Sequence, residues 1–218
     1  GITSASGDYH GIITNLQTVD HILGAASPFA RLSSFGTTFG QGFVVTQDFY
    51  LDTSWDNNLG FDFAVAVNEP DGTTHQRDFI WHVGVYEGEL LINASNNSDW
   101  RYNSYKLLNE NGGQYYTVTE SGWYTFQTVF YDNGEGILAV DLNLLNAAGE
   151  TLYSITRSKA EDIIGIEVGG PRYGWLAYNN IDGLAIDNTS VVPVPEPAAL
   201  SLLGLGGLAL LRRRRAIA

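Results

Sequence analysis

A chain of 218 residues with 24 acidic against 11 basic side chains carries a formal net charge of −13. Four of those basic residues are arginines at positions 212–215, so residues 1–197 hold 7 basic against 24 acidic groups, a net of −17, and such a surface repels DNA, RNA and anionic lipid. Cysteine is absent, which excludes disulfides and any thiol nucleophile. Methionine is absent too, position 1 included, and the expectation is of a chain trimmed of a leader. Residues 1–24 mix small polar residues with short apolar pieces, as one or two edge strands would. From residue 42 onward apolar side chains recur at every second position, the period of a half-buried strand. Residues 42–50 put Phe43, Val45 and Phe49 on one face. Residues 60–68 put Phe61, Phe63, Val65 and Val67 on one face and Asp62, Ala64 and Ala66 on the other. Residues 78–86 are apolar on both faces, which predicts a central strand.

The same rhythm predicts strands at 89–94, 115–119, 123–131 and 137–145, the last two joined across 132–136, where Asn133-Gly134 is a hairpin signal. A strand at 151–156, one helical turn at 158–164 and closing strands at 174–178 and 184–187 complete the pattern. The expected core includes Phe61, Phe63, Phe79, Trp81, Trp123, Phe126, Val140 and Leu142. Trp123 and Phe126 lie three apart, so they cannot share one strand face and one must lie elsewhere. Nine or ten strands with almost no helix predict an all-β fold, a two-sheet antiparallel β-sandwich over residues 25–190. No amphipathic helix of 10–15 residues separates the strands, which disfavours a parallel α/β sheet.

The end of the chain has a different character. A proline-rich linker at 191–197 precedes an uncharged apolar run at 198–211, and a basic tail at 212–218 follows. Fourteen residues cross only ~21 Å as a helix, short of the ~30 Å hydrocarbon core, which makes a marginal transmembrane segment aided by arginine snorkelling. The arginine cluster stays in the cytoplasm and leaves everything upstream on the far side. Pro195-Glu196-Pro197, the apolar run and the cluster Arg212, Arg213, Arg214 and Arg215 together resemble the PEP-CTERM sorting signal of exported proteins of Gram-negative bacteria. That resemblance implies an exosortase as transient partner, removal of the tail, and a cell-surface or extracellular product.

Residues 60–68, 77–85, 122–131 and 184–188 also resemble the concanavalin A-like lectin and glucanase superfamily, which implies a jelly roll. Sugar-binding modules, glycan hydrolases and adhesive domains all occur there, so the resemblance leaves activity open. The glucanases of that superfamily carry a Glu-x-Asp-x-x-Glu strand, because retaining hydrolysis needs two carboxylates about 5 Å apart. This sequence has no such run; the acidic pairs Glu87/Glu89 and Glu161/Asp162 lack a third member in register. No Gly-x-Ser-x-Gly elbow appears. His10, His21, His75 and His82 form no ligand pair of zinc spacing. His82, set among aromatic residues, reads as a satisfied sheet histidine before it reads as a ligand or a base.

Two kinds of binding site remain as expectations. Calcium has candidate ligands in the oxygen-rich loops, namely Asp52 and Asp56, and Asp132 and Glu135, with Asp182 and Asp187 weaker still. The same residues are what an Asx-turn contains. A glycan has a candidate site at Asn97, Asp99, Trp100, Tyr102 and Tyr105, where rings lie among polar residues with no alternation to bury them. A loop folded over a sheet edge would look alike. Arg172, Tyr173, Trp175 and Tyr178 form a second, weaker patch. The function expected is noncatalytic: an exported component of the cell envelope or matrix, with exopolysaccharide as ligand. A carbohydrate-active enzyme with an unfamiliar site is the runner-up, and self-assembly by strand addition through residues 1–24 is the third reading.

Overall fold

The computed structural model describes residues 1–14, 27–30, 42–96, 114–158, 170–177 and 179–194. Twelve strands are assigned there: β1 (Gly11–Ile13), β2 (Ser27–Ala30), β3 (Gly42–Leu51), β4 (Gly60–Asn68), β5 (His75–Tyr86), β6 (Glu89–Asn96), β7 (Tyr116–Val118), β8 (Gly122–Asp132), β9 (Leu138–Leu145), β10 (Thr151–Ser158), β11 (Pro171–Ala177) and β12 (Leu184–Pro193). They form two six-stranded sheets in which every pairing is antiparallel. The first sheet has the order β1-β12-β3-β8-β9-β10 and the second β2-β11-β4-β5-β6-β7. This is the expected all-β sandwich, with β5 central as its two apolar faces predict. The expected helical turn and the apolar segment at 198–211 lie outside the described residues. Among the described residues no helix is long and apolar enough to cross a membrane.

Alternation builds the core. Phe43, Val45, Phe49 and Leu51 of the first sheet face Phe61, Phe63, Phe79 and Trp81 of the second, all buried. Their rings interlock edge to face: Phe49 meets Phe63 at 5.2 Å and Phe126 at 5.1 Å, and Trp81 meets Phe126 at 5.1 Å. Such pairs add to the burial of ring area that drives the two sheets together. Phe126 is fully buried whereas Trp123 lies on the far side of β8, which settles which of the two leaves the core. The indole N–H of Trp81 donates to the Thr128 hydroxyl at 3.3 Å, so the one polar atom of the ring is satisfied inside the core.

Turn chemistry sets the register. The β5–β6 hairpin turns on Glu87 and Gly88, both at positive φ (52° and 82°), the two-residue arrangement whose twist matches antiparallel strands. At the start of β3, Gly42 has φ 138°, and a Cβ there would sit 1.9 Å from the Phe130 carbonyl oxygen, so only glycine fits.

β12 runs further than the alternation suggests. The segment 188–190, beyond the expected strand end at 187, forms a bulge: Asp187 pairs with Asp48 and Ser190 with Thr46, with Asn188 at φ 48° absorbing the extra residue. Pairing resumes to Pro193 opposite Phe43, and Val194 N–H donates to the Gly42 carbonyl at 3.0 Å. The sheet thus continues into residues 191–193, the first part of the expected linker. β1 pairs only with residues 184–186, which leaves the other side of β12 at Pro193 without a described strand, a place where a missing N–H is tolerated.

Candidate functional site

Two polar arrangements lie outside the core, one on the far face of each sheet. On the first sheet the even-register side chains of β3 and the odd-register ones of β8 and β9 point away from the core and are mostly half-buried. They bond sideways across strands. Asn143 donates to Gln127 Oε1 at 3.1 Å, and the Ser154 hydroxyl donates to Asn143 Oδ1 at 2.7 Å, a row spanning β8, β9 and β10. One register step away, Tyr131 (3.2 Å) and Thr156 (2.5 Å) both donate to Asp141 Oδ1. Thr125 donates to Asp48 Oδ1 at 2.6 Å, and Asn188 donates to Asp48 Oδ2 at 2.7 Å. At one end the rings of Tyr50 and Trp123 meet edge to face at 5.6 Å, and His10 meets Trp123 at 5.7 Å. The Trp123 indole N–H donates to the Thr3 carbonyl at 2.6 Å, which ties the N-terminal segment to this end of the face.

The bulge of β12 anchors the same segment. Ser6 N–H donates to Asp187 Oδ2 at 3.1 Å and its hydroxyl to Asn188 Oδ1 at 2.6 Å. Behind the bulge, the buried Gln47 amide donates to the Asp187 carbonyl at 2.8 Å and accepts from Thr189 at 2.5 Å. A glutamine on the core face of β3 is explained by this: it occupies backbone and side-chain groups that the bulge takes out of the ladder.

Around β4, His82 and β6 the second sheet is buried on its far face as well, while Asp78, Ile80 and Tyr86 of β5 and Tyr173 and Trp175 of β11 are half-buried. Asp62, Ala64 and Ala66 of β4, His82 of β5, and Leu91 and Ser95 of β6 are all buried there. Asp62 pairs across the ladder with His82, and Ser95 lies diagonally across the next. His82 Nδ1 is 2.9 Å from Asp62 Oδ1, and His82 Nε2 is 2.8 Å from Ser95 Oγ. An ionised carboxylate only accepts, so Nδ1 carries the proton and Nε2 is left to accept from the Ser95 hydroxyl. His82 is therefore a satisfied sheet histidine, as its sequence context suggests, and its partners are an acid and an alcohol. Sequence reasoning placed Asp62 on the outer face of its strand but did not join it to His82 or Ser95. A usable signal was present: Asp62 and His82 stand among the apolar or small neighbours Ala64, Ala66, Ile80 and Gly84 on their strand faces.

The remaining expected site residues divide into two groups. Asn97, Asp99, Trp100, Tyr102, Tyr105, Tyr178, the motif Pro195, Glu196 and Pro197, and Arg212, Arg213, Arg214 and Arg215 lie outside the described residues. Of the calcium candidates, Asp52 and Asp132 serve as turn acceptors. Asp52 Oδ1 accepts from the Ser54 backbone (2.8 Å) and hydroxyl (2.7 Å), bonds that hold its carboxyl below the usual carboxylate range. Asp132 Oδ1 accepts from Gly134 (2.7 Å) and Gly136 (2.9 Å) in the β8–β9 connection, where Asn133 Oδ1 accepts from Glu135 at 2.8 Å. Asp56 lies in the loop after β3, its carbonyl accepting from Leu59 N–H at 3.1 Å. Among the described residues no group of three or more His, Asp or Glu side chains is arranged to hold a metal ion. In the second patch Arg172 lies 5.6 Å from the Tyr173 ring centre, and Tyr173 meets Trp175 at 5.7 Å.

Comparison with known proteins bears on the end of the chain. No curated protein matches the sequence. Two solved structures are similar to it at a TM-score of 0.38, too low to bear on fold or function. The CBM2 module of the evolved Dit of Lactobacillus casei BL23 phage J-1 shares 10% identity, covering 79% of this chain and 69% of that one. A protein of unknown function from Shewanella oneidensis MR-1 shares 13%, covering 84% and 72%. The model of the PEP-CTERM protein-sorting motif matches residues 193–215, from the last residue of β12 through the arginine cluster, and marks the chain as an exported, exosortase-processed protein of the cell surface.

Proposed function

We propose that this protein is a surface or matrix component of a Gram-negative bacterium that holds an exopolysaccharide, without chemistry on it, along the far face of its first sheet. The observation that carries the reading is the row of cross-bonded amides and hydroxyls, Gln127, Asn143 and Ser154, on the same sheet face as the Tyr50 and Trp123 rings, which lie four residues further along β8. Sugar rings stack on aromatic faces, and their hydroxyls exchange hydrogen bonds with amides and carboxylates. Pre-bonded side chains on strands lose little freedom when a ligand arrives, which favours binding. The charge of −13 and the carboxylates of Asp48 and Asp141 on that face select against uronic-acid polymers and for neutral chains. A jelly roll of the concanavalin A-like kind suits this reading, and so does the sorting route. The apolar run at 198–211 then anchors the precursor, with Arg212–Arg215 in the cytoplasm and Pro195-Glu196-Pro197 at the outer face.

Retention of the protein on the host's own exopolysaccharide tests the binding half. The double variant Gln127→Ala, Asn143→Ala should lose retention by about tenfold or more while its melting temperature stays at the parent value, since roughly 1.4 kcal/mol of lost contact is a factor of ten. Equal retention of variant and parent would remove the reading. Loss in Trp100→Ala instead would move the site to the stretch around Trp100. The route is tested apart from the ligand, by the intact mass and C-terminal sequence of protein from the native host with and without its exosortase. A mature surface form still ending at Ala218 in the processing-competent strain would sink the sorting half.

A further inference from the structure

We propose that Asp62, His82 and Ser95 form a relay that makes Ser95 a nucleophile toward short-chain carboxylic esters. The three groups stand on adjacent strands of the second sheet, joined end to end at 2.9 Å and 2.8 Å. Direction is imposed by chemistry. The carboxylate of Asp62 fixes the proton on Nδ1, Nε2 presents its lone pair, and the Ser95 O–H points at it. A base so placed takes the proton as the oxygen attacks, and the carboxylate stabilises the imidazolium that results.

Burial follows the same order. Asp62 and His82 are each 3% exposed and Ser95 8%, so the acid lies at the closed end and the alcohol at the more open end. Ser95 also lies past the reach of β7, which pairs only with Leu90, Leu91 and Ile92 of β6. The neighbouring backbone is already engaged: Ala94 N–H is taken by the Asn93 side chain at 2.7 Å, and the Ala94 carbonyl accepts from Arg157 at 2.5 Å. The strand carrying the hydroxyl is therefore held from both sides, and sites on strands keep tighter geometry than sites on loops. With Ser95 only 8% exposed, the substrate class is an ester whose acyl group has few carbons. This goes beyond the binding role assigned to the first sheet and does not depend on it.

The reaction balances without a co-reactant other than water. Ser95 Oγ bonds to the ester carbonyl carbon as its proton passes to His82 Nε2. The tetrahedral adduct collapses, the C–O bond to the alcohol breaks, and the departing oxygen takes that proton. Water then attacks the acyl-serine with His82 again as base, releasing the carboxylic acid and restoring Ser95. Asp62 is a positioning residue in this scheme, acting through His82.

The test uses the full chain, a fluorophosphonate probe and p-nitrophenyl acetate. The probe should add to the parent at Ser95, mapped by mass spectrometry of the digest. The parent should hydrolyse the ester at least ~100-fold faster than Ser95→Ala, the scale of a lost nucleophile and base. Asp62→Asn should lower the rate and displace its pH profile, a change that a merely structural role would not produce. No label at Ser95 together with equal ester hydrolysis by parent and Ser95→Ala would overturn the proposal. Should Ser95→Ala fail to fold, labelling of the parent alone decides: label at Ser95 supports the relay and its absence overturns it. Retention on exopolysaccharide is read separately, so the two sites stand or fall independently.

Discussion

In the first sheet exposure alternates along β8, where Tyr124, Phe126 and Thr128 are buried while Trp123, Thr125 and Gln127 are half open. On the second sheet it does not. All nine residues of β4 are buried, and Leu91 and Ser95 of β6 are buried on the side away from the shared core. Both sheets donate aromatic side chains to that core, so the difference lies only in what their outer residues do. A face in water tolerates a row of amides and carboxylates, because solvent covers the bonds the row leaves unmade. A face out of water tolerates a carboxylate, an imidazole and a hydroxyl only if each has a partner, since an unpaired buried polar group costs roughly 1–3 kcal/mol. On the reading proposed above the first sheet offers its polar groups to a ligand, whereas in the second the side chains of Asp62, His82 and Ser95 partner one another.

A three-variant series sets a scale for that comparison. Phe126→Ala opens the shared core beside Phe49, Phe61 and Trp81 and should cost about 3–5 kcal/mol. Leu91→Ala, on the far face of the second sheet against Tyr86, should cost about 2–5 kcal/mol, close to a core truncation. Gln127→Ala, on the far face of the first sheet, should stay within about 0.5 kcal/mol of the parent. Urea midpoints measure all three. Equal midpoints for Leu91→Ala and Gln127→Ala would erase the distinction between the two faces, and a parent-like midpoint for Phe126→Ala would reject the register of β8.

How much of this was legible follows from the range of each force involved. Alternation is a local consequence of one buried face, so β4 could be read to its ends, and β3, β8 and β9 to within one residue. That Trp123 and Phe126 could not share one face followed from their spacing, but not that Trp123 is the one to leave the core. The expected strand ends at Asp187, and only the reach of Gln47 across from β3 shows why the chain bulges and continues. The partnership of Asp62 with His82 was hidden for a different reason. Which residue of β4 meets which of β5 depends on the connection at 69–74, and a shift of one residue would have turned His82 into the core. The outer burial of the second sheet is tertiary, and alternation in 60–68 is compatible with a wet or a dry far face. The glycan residues expected around Trp100 lie outside the described residues. The polar row proposed in their place is spread over β8, β9 and β10, so no single stretch of sequence displays it.

A pH-dependent effect is expected where the two sheets meet. Tyr153, on the edge strand β10 of the first sheet, reaches β6 of the second: its hydroxyl donates to Asn93 Oδ1 at 3.2 Å and to the Gln114 carbonyl at 3.0 Å. Burial pushes this phenol up to about 12 from its ordinary 10, a rise that the nearby Arg157 charge partly opposes. Desolvation disfavours the phenolate, so in the folded chain the hydroxyl stays protonated at a pH where the unfolded chain has already released its proton. A group whose folded pKa is raised contributes stability that is complete below the unfolded value and is lost as pH rises toward the folded one. The window is therefore pH 10 to 12, and stability should fall across it by on the order of 2 kcal/mol at most. Tyr153→Phe removes the titrating group and should flatten that part of the profile, at the cost of about 1 kcal/mol of hydrogen bonding at neutral pH. Urea midpoints of parent and variant between pH 9 and 12 measure it. Parallel curves would mean that Tyr153 titrates as an exposed phenol, and that the seam between β10 and β6 is wet like the first sheet's far face rather than dry like the second's.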